Sequence, residues 1–536
     1  MAKELSYQPL TNLGINGLNT QDNPATLDPS YLTKADNIVL RESGRIAFRK
    51  GFKQKVDPSD TAIGSLVEHN DQGTKKIFAS YGTSIYTVDF GTPADAFPSS
   101  GADVKHTVSG SSGNWQFVNF NKRLHCFHSG VVPQRYDGAL SSGSRWAAFD
   151  NSTKPAGVST FDPSCGMGYY GRIWCGGVSE GKDVLYYSTL LDGDDFRLNS
   201  ANAGSDGGSI SLRSVWGTDE IVAIAPFYGK IVIFGTNNIA IYDSPNVIGS
   251  MALNEVIRGV GLVSRDSVQA IGDDLVFLSN TGLRSLARTT EKDKLPLTDL
   301  SLNVKDTLIR HIGQSSAVKS IYVENEGIYI MTFTASNITY VFDFKHRTPN
   351  NAPRITNWTF DNDREPSSMA YTTLYGLLVG QKDGGLAGYE GYYDTDLSGA
   401  STYSNSSYTA DFATTWVNLG QSVAASLLKR LFMVLEGGSG ASLGLKWYKD
   451  FSPSPSKTTS ITLNPVTTGT AALWGASTSL YGKSGVTYKP VYGLQEYKTP
   501  LTGSAKNLKL AISIESNGFD ASLQDVTLLH KQGKIR

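Results

Sequence analysis

Gly177-Val178-Ser179-Glu180-Gly181 has the spacing of a nucleophile elbow, in which a sharp strand-to-helix turn lifts a serine hydroxyl beside a histidine for acyl transfer. Here the five residues join 171–175 to 184–187, two apolar segments that read as the strands of one hairpin. No helix follows the turn, so the match is fortuitous. His125, Cys126 and His128 gather three zinc-type donors in four residues. On a strand His125 and Cys126 point to opposite faces, and His125 and His128 differ in parity. His69, His106, His311, His346 and His530 are scattered singly, so the remaining ligands of a tetrahedral site are missing. Asp192-Gly193-Asp194-Asp195 and Asp394-Thr395-Asp396 offer carboxylates for calcium. Neither sits in a twelve-residue loop ending in Glu, and both read as turn caps. Gly259-Val260-Gly261 lacks the third glycine of a dinucleotide loop, and there is no phosphate-cradling P-loop. The carboxylate pair of a glycoside hydrolase comes from separate strands, and nothing in the sequence singles one out. The chain is therefore expected not to be an enzyme: no catalytic residue, no cofactor-binding residue and no metal ligand is assigned.

The composition narrows the class further. Of 536 residues, 40% are hydrophobic and 10% aromatic, which is enough to bury a core and excludes a disordered chain. Glycine is abundant at 55 residues, and charged residues make up only 18%, against the composition of a long helical protein. The charge nearly cancels, 48 basic against 49 acidic, so the basic footprint of a nucleic-acid binder is absent. Three cysteines, Cys126, Cys165 and Cys175, make no disulfide framework and lead to the expectation of a reducing cytoplasm. The opening Met1-Ala-Lys-Glu-Leu-Ser-Tyr has no apolar run, so no signal peptide is expected. No stretch approaches the ~20 apolar residues of a spanning helix, and no membrane contact is expected.

What must position any site is a repeat. An apolar strand, a Gly/Asn/Ser turn and a second strand recur with their first apolar residue at Ile77, Leu124, Ile173, Ile231, Leu275, Ile328 and Leu377, about 50 residues apart, the period of a propeller blade. Turn residues such as Thr236-Asn237-Asn238 and Asn280-Thr281-Gly282 suit tight hairpins. Most copies are preceded by another candidate strand, as at 63–67, 115–118, 221–225, 267–271 and 320–323. The fold class is all-β: a β-propeller of about seven blades with an N-terminal extended arm and a C-terminal antiparallel β-sandwich. The divisions are the arm at 1–55, the propeller at 56–392, a linker at 393–415 rich in Ser, Thr, Tyr and Asp, and the sandwich at 416–536. One helix is predicted from Leu300 to Ile312, where Leu300, Val304, Leu308 and Ile312 form one stripe and Asp299 or Ser301 is available as a cap. The arm carries a basic cluster, Arg41, Arg45, Arg49 and Lys50, offset within the segment by Glu42.

Several passages are similar to the packaged-DNA stabilisation, or tail nozzle, proteins of short-tailed bacteriophages. They are Gly17-Leu-Asn-Thr-Gln-Asp-Asn-Pro24, Lys34-Ala-Asp-Asn-Ile-Val39, Gly44-Arg-Ile-Ala-Phe-Arg-Lys-Gly-Phe52, the central hairpin 221–242, Phe277-Leu-Ser-Asn-Thr-Gly282 and the helix near 304–312, in that order. The likeness spans roughly residues 10–390. It implies a structural virion protein of the tail, made in the host cytoplasm. It implies a homohexameric ring below the portal and its adaptor proteins, in contact with tail fibre or tailspike and with tail needle proteins. Such a ring retains the packaged genome and conducts it at ejection without sequence-specific DNA binding. Near-neutral charge suits a tube through which DNA slides, because a basic lumen would grip it through counterion release. Arg41, Arg45, Arg49 and Lys50 are accordingly expected to face a protein neighbour. The alternative is a receptor- or polysaccharide-binding propeller of a tail fibre, whose aromatic residues would stack on sugars.

Overall fold

The computed structural model describes residues 5–41, 45–56, 61–91, 96–97, 101, 103–198, 206–287, 299–314, 317–361, 364–397, 403–419, 425–438, 440–463, 470–471, 486–487 and 494–532. The chain is all-β and its centre is a β-propeller. Six blades have four antiparallel strands: 63–107, 116–148, 165–211, 221–258, 318–358, and 366–389 together with Phe52–Val56. The repeat at 269–285 makes three among the described residues, Gln269–Ile271, Asp274–Ser279 and Gly282–Ser285. The expected count of about seven is thus corrected to six complete blades and one three-stranded sheet, named below in chain order as blades one to seven. Among the described residues blade five has no outer strand: after a single bridge from Asp299 to Arg284, the chain turns into a helix. That helix, Lys305–Gln314, follows a short turn at Leu302–Val304. Leu300, Val304 and Leu308 are buried and Ile312 packs beside them. Ser301 does not cap the helix; its hydroxyl donates to Asp299 Oδ1 instead.

The unbroken apolar runs follow from the blade stack. Successive residues of a strand face opposite sides, and each blade has a neighbour on both. Ile231 and Ile233 of strand Lys230–Gly235 pack with Trp174 and Leu185 of blade three, while Val232 and Phe234 pack with Leu275 and Phe277 of blade five. Burying each such side chain stabilises by ~1.5–3 kcal/mol. The ring closes where Phe52–Val56 becomes the outer strand of blade seven, with Val56 opposite Leu386 and Phe52 opposite Tyr389.

The arm does not extend away from the body. Leu5–Pro9, Ile38–Leu40 and Ile46–Phe48 join Ser426–Gly437, Leu494–Pro500 and Ala521–Lys531 in one sheet. Leu32–Asp36 joins Thr409–Thr414, Asn507–Glu515, Ser442–Lys449 and Lys457–Thr462 in the other. Leu431, Met433 and Leu435 share a core with Leu443, Leu445, Trp447, Leu510 and Ile512, which makes the pair a sandwich. Its second sheet continues into blade six, where Asp36 lies parallel to Asn357. Gly17 bridges to Ile355 beside this join with φ +77°, and a Cβ there would lie 2.7 Å from the Ile355 carbonyl oxygen; glycine is required. Asn19 ties its own loop through Gln21 and Asp22, and Gln21 reaches Asp306 on the helix. The glycine-to-proline motif near the N-terminus is therefore a stitch between sandwich, blade six and helix.

Candidate functional site

Four blades bring polar groups together inside the ring, three through side chains and one through a backbone carbonyl, each from a residue at or just before the first strand of its blade. Asn114 precedes Gln116–Phe120, Ser164 precedes Cys165–Tyr169, Arg265 and Asp266 precede Gln269–Ile271, and Lys319 lies at the start of Val318–Val323. Arg265 Nε donates to Asp266 Oδ1 at 3.0 Å, and Lys319 Nζ donates to Asp266 Oδ2 at 2.6 Å. Lys319 also donates to Asn114 Oδ1 at 2.6 Å, and Arg265 Nη1 to the Ser164 carbonyl at 2.5 Å. Blades two and three thereby connect to blades five and six on the far side of the ring. Arg265, Asp266 and Lys319 themselves line a hollow of about 270 Å³, together with Gln116, Gln269 and Ser320. Burial opposes the charge on Asp266, yet Arg265 and Lys319 outweigh it and hold the carboxyl well below its usual range. Burial lowers Lys319, with Asp266 opposing the change. Every charged group here has its partner, so the arrangement clamps and offers no free nucleophile or base.

The residues weighed from sequence have other employment. Ser179 donates through both its amide and its hydroxyl to Asp162 Oδ1 at 2.9 Å, and its loop links two strands of blade three as expected. His125 and the Asp192–Asp195 turn, read separately from sequence, meet between blades two and three. Asp194 Oδ2 accepts from Arg123 at 2.9 Å and from Arg135 at 2.5 Å, and its Oδ1 stands 3.5 Å from His125 Nδ1. A Cβ at Gly193 would lie 2.9 Å from the His125 ring, so only glycine lets the turn close over it. Burial drives the His125 pKa down to about 4; Asp194 works against that shift, and Arg123 and Arg135 work with it. Cys126 points the other way, into the core shared with blade one, where burial pushes its thiol well up. His128 Nε2 accepts from the Ser112 amide at 3.0 Å, and its ring lies against Trp115. Among the described residues no group of three or more His, Cys, Asp or Glu is placed to hold a metal ion. Asp394 binds Arg49, while the Asp396 side chain lies outside the described residues. Gly259 and Gly261 fall in the loop after Ala252–Arg258.

The basic cluster is matched by carboxylates of its own chain, while Arg41, Arg45 and Lys50 stay partly exposed. Arg41 pairs with Asp520, Arg45 with Glu436, Arg49 with Asp394 and Lys50 with Glu326, all within the chain. The carboxylates lie hundreds of residues away in sequence, which hid the pairing. The cluster inside the ring was missed for a similar reason: its one trace is the charged pair Arg265-Asp266 at the head of a strand.

No family model and no curated protein matches the chain. Among solved structures it is similar to the Neurospora crassa Pan2 WD40 domain, at 9% identity and a TM-score of 0.36, covering 65% of this chain and 97% of that one. It is also similar to BamB from Moraxella catarrhalis, at 9% identity and a TM-score of 0.36, covering 66% and 95%. U3-55K gives 9% identity and a TM-score of 0.35, covering 63% and 98%. No function is carried over from them. No helix among the described residues is long and apolar enough to cross a membrane.

Proposed function

We propose that the chain is a structural protein of the tail nozzle of a short-tailed bacteriophage, a ring component that retains packaged DNA and conducts it at ejection. The observation that carries this reading is the bracing inside the ring: Asn114, Arg265, Asp266 and Lys319 bond between non-neighbouring blades, which stiffens one propeller. On this reading the DNA duct is formed between copies, in a homohexamer beneath the portal and adaptor. The sequence resemblance supports it, and so does the sheet shared by blade six and the sandwich, which makes a stiff two-part building unit. The test is electron microscopy of the purified chain mixed with portal and adaptor. Six-fold rings with the propeller axes off the central bore are expected; a monomer that ignores the portal complex sinks the proposal.

A tail-fibre protein that binds polysaccharide is the second reading, favoured by one groove on the sandwich. Trp416 and Phe451 stand with ring centroids 5.0 Å apart beside Tyr448, Lys446 and Lys509, around a hollow of about 530 Å³. Aromatic faces of this kind stack on sugar rings. Trimers, together with glycan binding lost in Trp416→Ala, would favour it over the nozzle.

A further inference from the structure

Where blade six meets the first turns of the sandwich there is a cleft of about 500 Å³. Its floor is apolar, with Leu40, Phe48, Ile328, Val341 and Tyr389. Its wall holds Arg354, which is only 6% exposed. The buried Nε and Nη1 of Arg354 have no hydrogen-bond partner among the described residues. A guanidinium cannot shed its charge, and an unpaired one out of water is costly. The obvious mate does not take it. Asp343 sits directly across the strand pair from Arg354, but its Oδ1 accepts from the Lys345 amide at 2.9 Å. No ion pair joins it to Arg354 among the described residues, and burial raises its pKa, with Arg354 only partly opposing. The other cations around the cleft, Arg41, Arg45 and Lys50, are held by Asp520, Glu436 and Glu326. Lys345 stands exposed at the mouth.

We infer that this cleft is a binding site for an oxyanion, a carboxylate or a phosphate ester, carried on an apolar body, with Arg354 as the recognising group. The planar fork of Arg354 matches two oxygens of such a group. The floor takes the ring or chain attached to it, and Lys345 adds charge at the entrance. The same chemistry reaches the site from a free small molecule or from an acidic, aromatic peptide segment.

Isothermal titration of the full chain tests this with inorganic phosphate, phenyl phosphate, benzylamine and a short Glu-Phe-containing peptide. Phenyl phosphate or the peptide should bind, benzylamine should not, and inorganic phosphate should be the weaker anion because it leaves the floor unfilled. Binding by phenyl phosphate alone assigns a free ligand; binding by the peptide alone assigns a polypeptide. Arg354→Gln should weaken binding by about tenfold or more, with Arg354→Lys between the two. In the absence of ligand Arg354→Gln should melt at or above the temperature of the unaltered chain, because it removes an unpaired buried charge. Failure of both organic anions to bind overturns the inference. So does equal binding by Arg354→Gln, or a fall in melting temperature that would make Arg354 a structural group.

Discussion

Two arginines are buried at the junction of propeller and sandwich, and their surroundings differ completely. Arg49 is fully buried and makes a two-point pair with Asp394, at 3.1 Å and 2.8 Å. It donates further to Asn37 Oδ1 at 2.9 Å and to the Lys50 carbonyl at 2.8 Å, and its guanidinium lies 4.1 Å from the Tyr408 ring centroid. Arg354 has two nitrogens with no partner among the described residues. A buried charge whose donors are all used holds structure together; one whose donors are idle marks a place where something else binds. Asp394 is a member of the Asp394-Thr395-Asp396 group first weighed as a calcium ligand, and its partner shows why the carboxylate is there.

The sharpest way to break the contrast is Arg49→Met. It strands Asp394 in the junction and should cost about 3–5 kcal/mol, read by urea unfolding with tryptophan fluorescence; a loss under about 1 kcal/mol would abolish the distinction. Next is a neutral group held by burial. His125 titrates at about 4 rather than 6.5, chiefly because burial disfavours the imidazolium. The unfolded chain therefore takes up the proton first. The stabilisation is whole above pH 6.5 and drains away as pH falls towards 4, by up to ~3 kcal/mol at ~1.4 kcal/mol per pH unit. His125→Gln should flatten that window in pH-dependent unfolding. Asp266→Asn leaves Arg265 and Lys319 facing each other inside the ring and should cost about 2 kcal/mol. The carboxyl of Asp266 is depressed, so its contribution is present above the unfolded carboxylate pKa of ~3.9 and is lost as pH falls through its lower folded value. Acid unfolding of Asp266→Asn should thus be less steep below pH ~4. Smallest and opposite in sign is Arg354→Met, which should leave stability unchanged or raise it by ~1 kcal/mol, measured in the same unfolding assay.

Much of the propeller was legible because its information is local. Alternation within Lys230–Gly235 names two buried faces, and a glycine or asparagine turn returns the chain to its own neighbour. The helix was legible in part, through Leu308 and Ile312, although it begins at Lys305 and not at Leu300. The absence of an elbow at Ser179 followed from two strands flanking it. The candidate clusters are less legible: His125 and Asp194 each stand out along the chain, but their meeting depends on two blades packing side by side.

The sequence by itself determined the elements, their buried faces and the spacing of the repeat, since periodicity and turn chemistry act within a few residues. Only the tertiary structure decided which edges meet. Leu32–Asp36 pairs with Thr409–Thr414, Phe52–Val56 completes a blade that begins at Pro366, and Arg49 finds Asp394. These partners are set by which strand edges and charges remain unsatisfied once the local units have formed, and no local pattern along the chain records that.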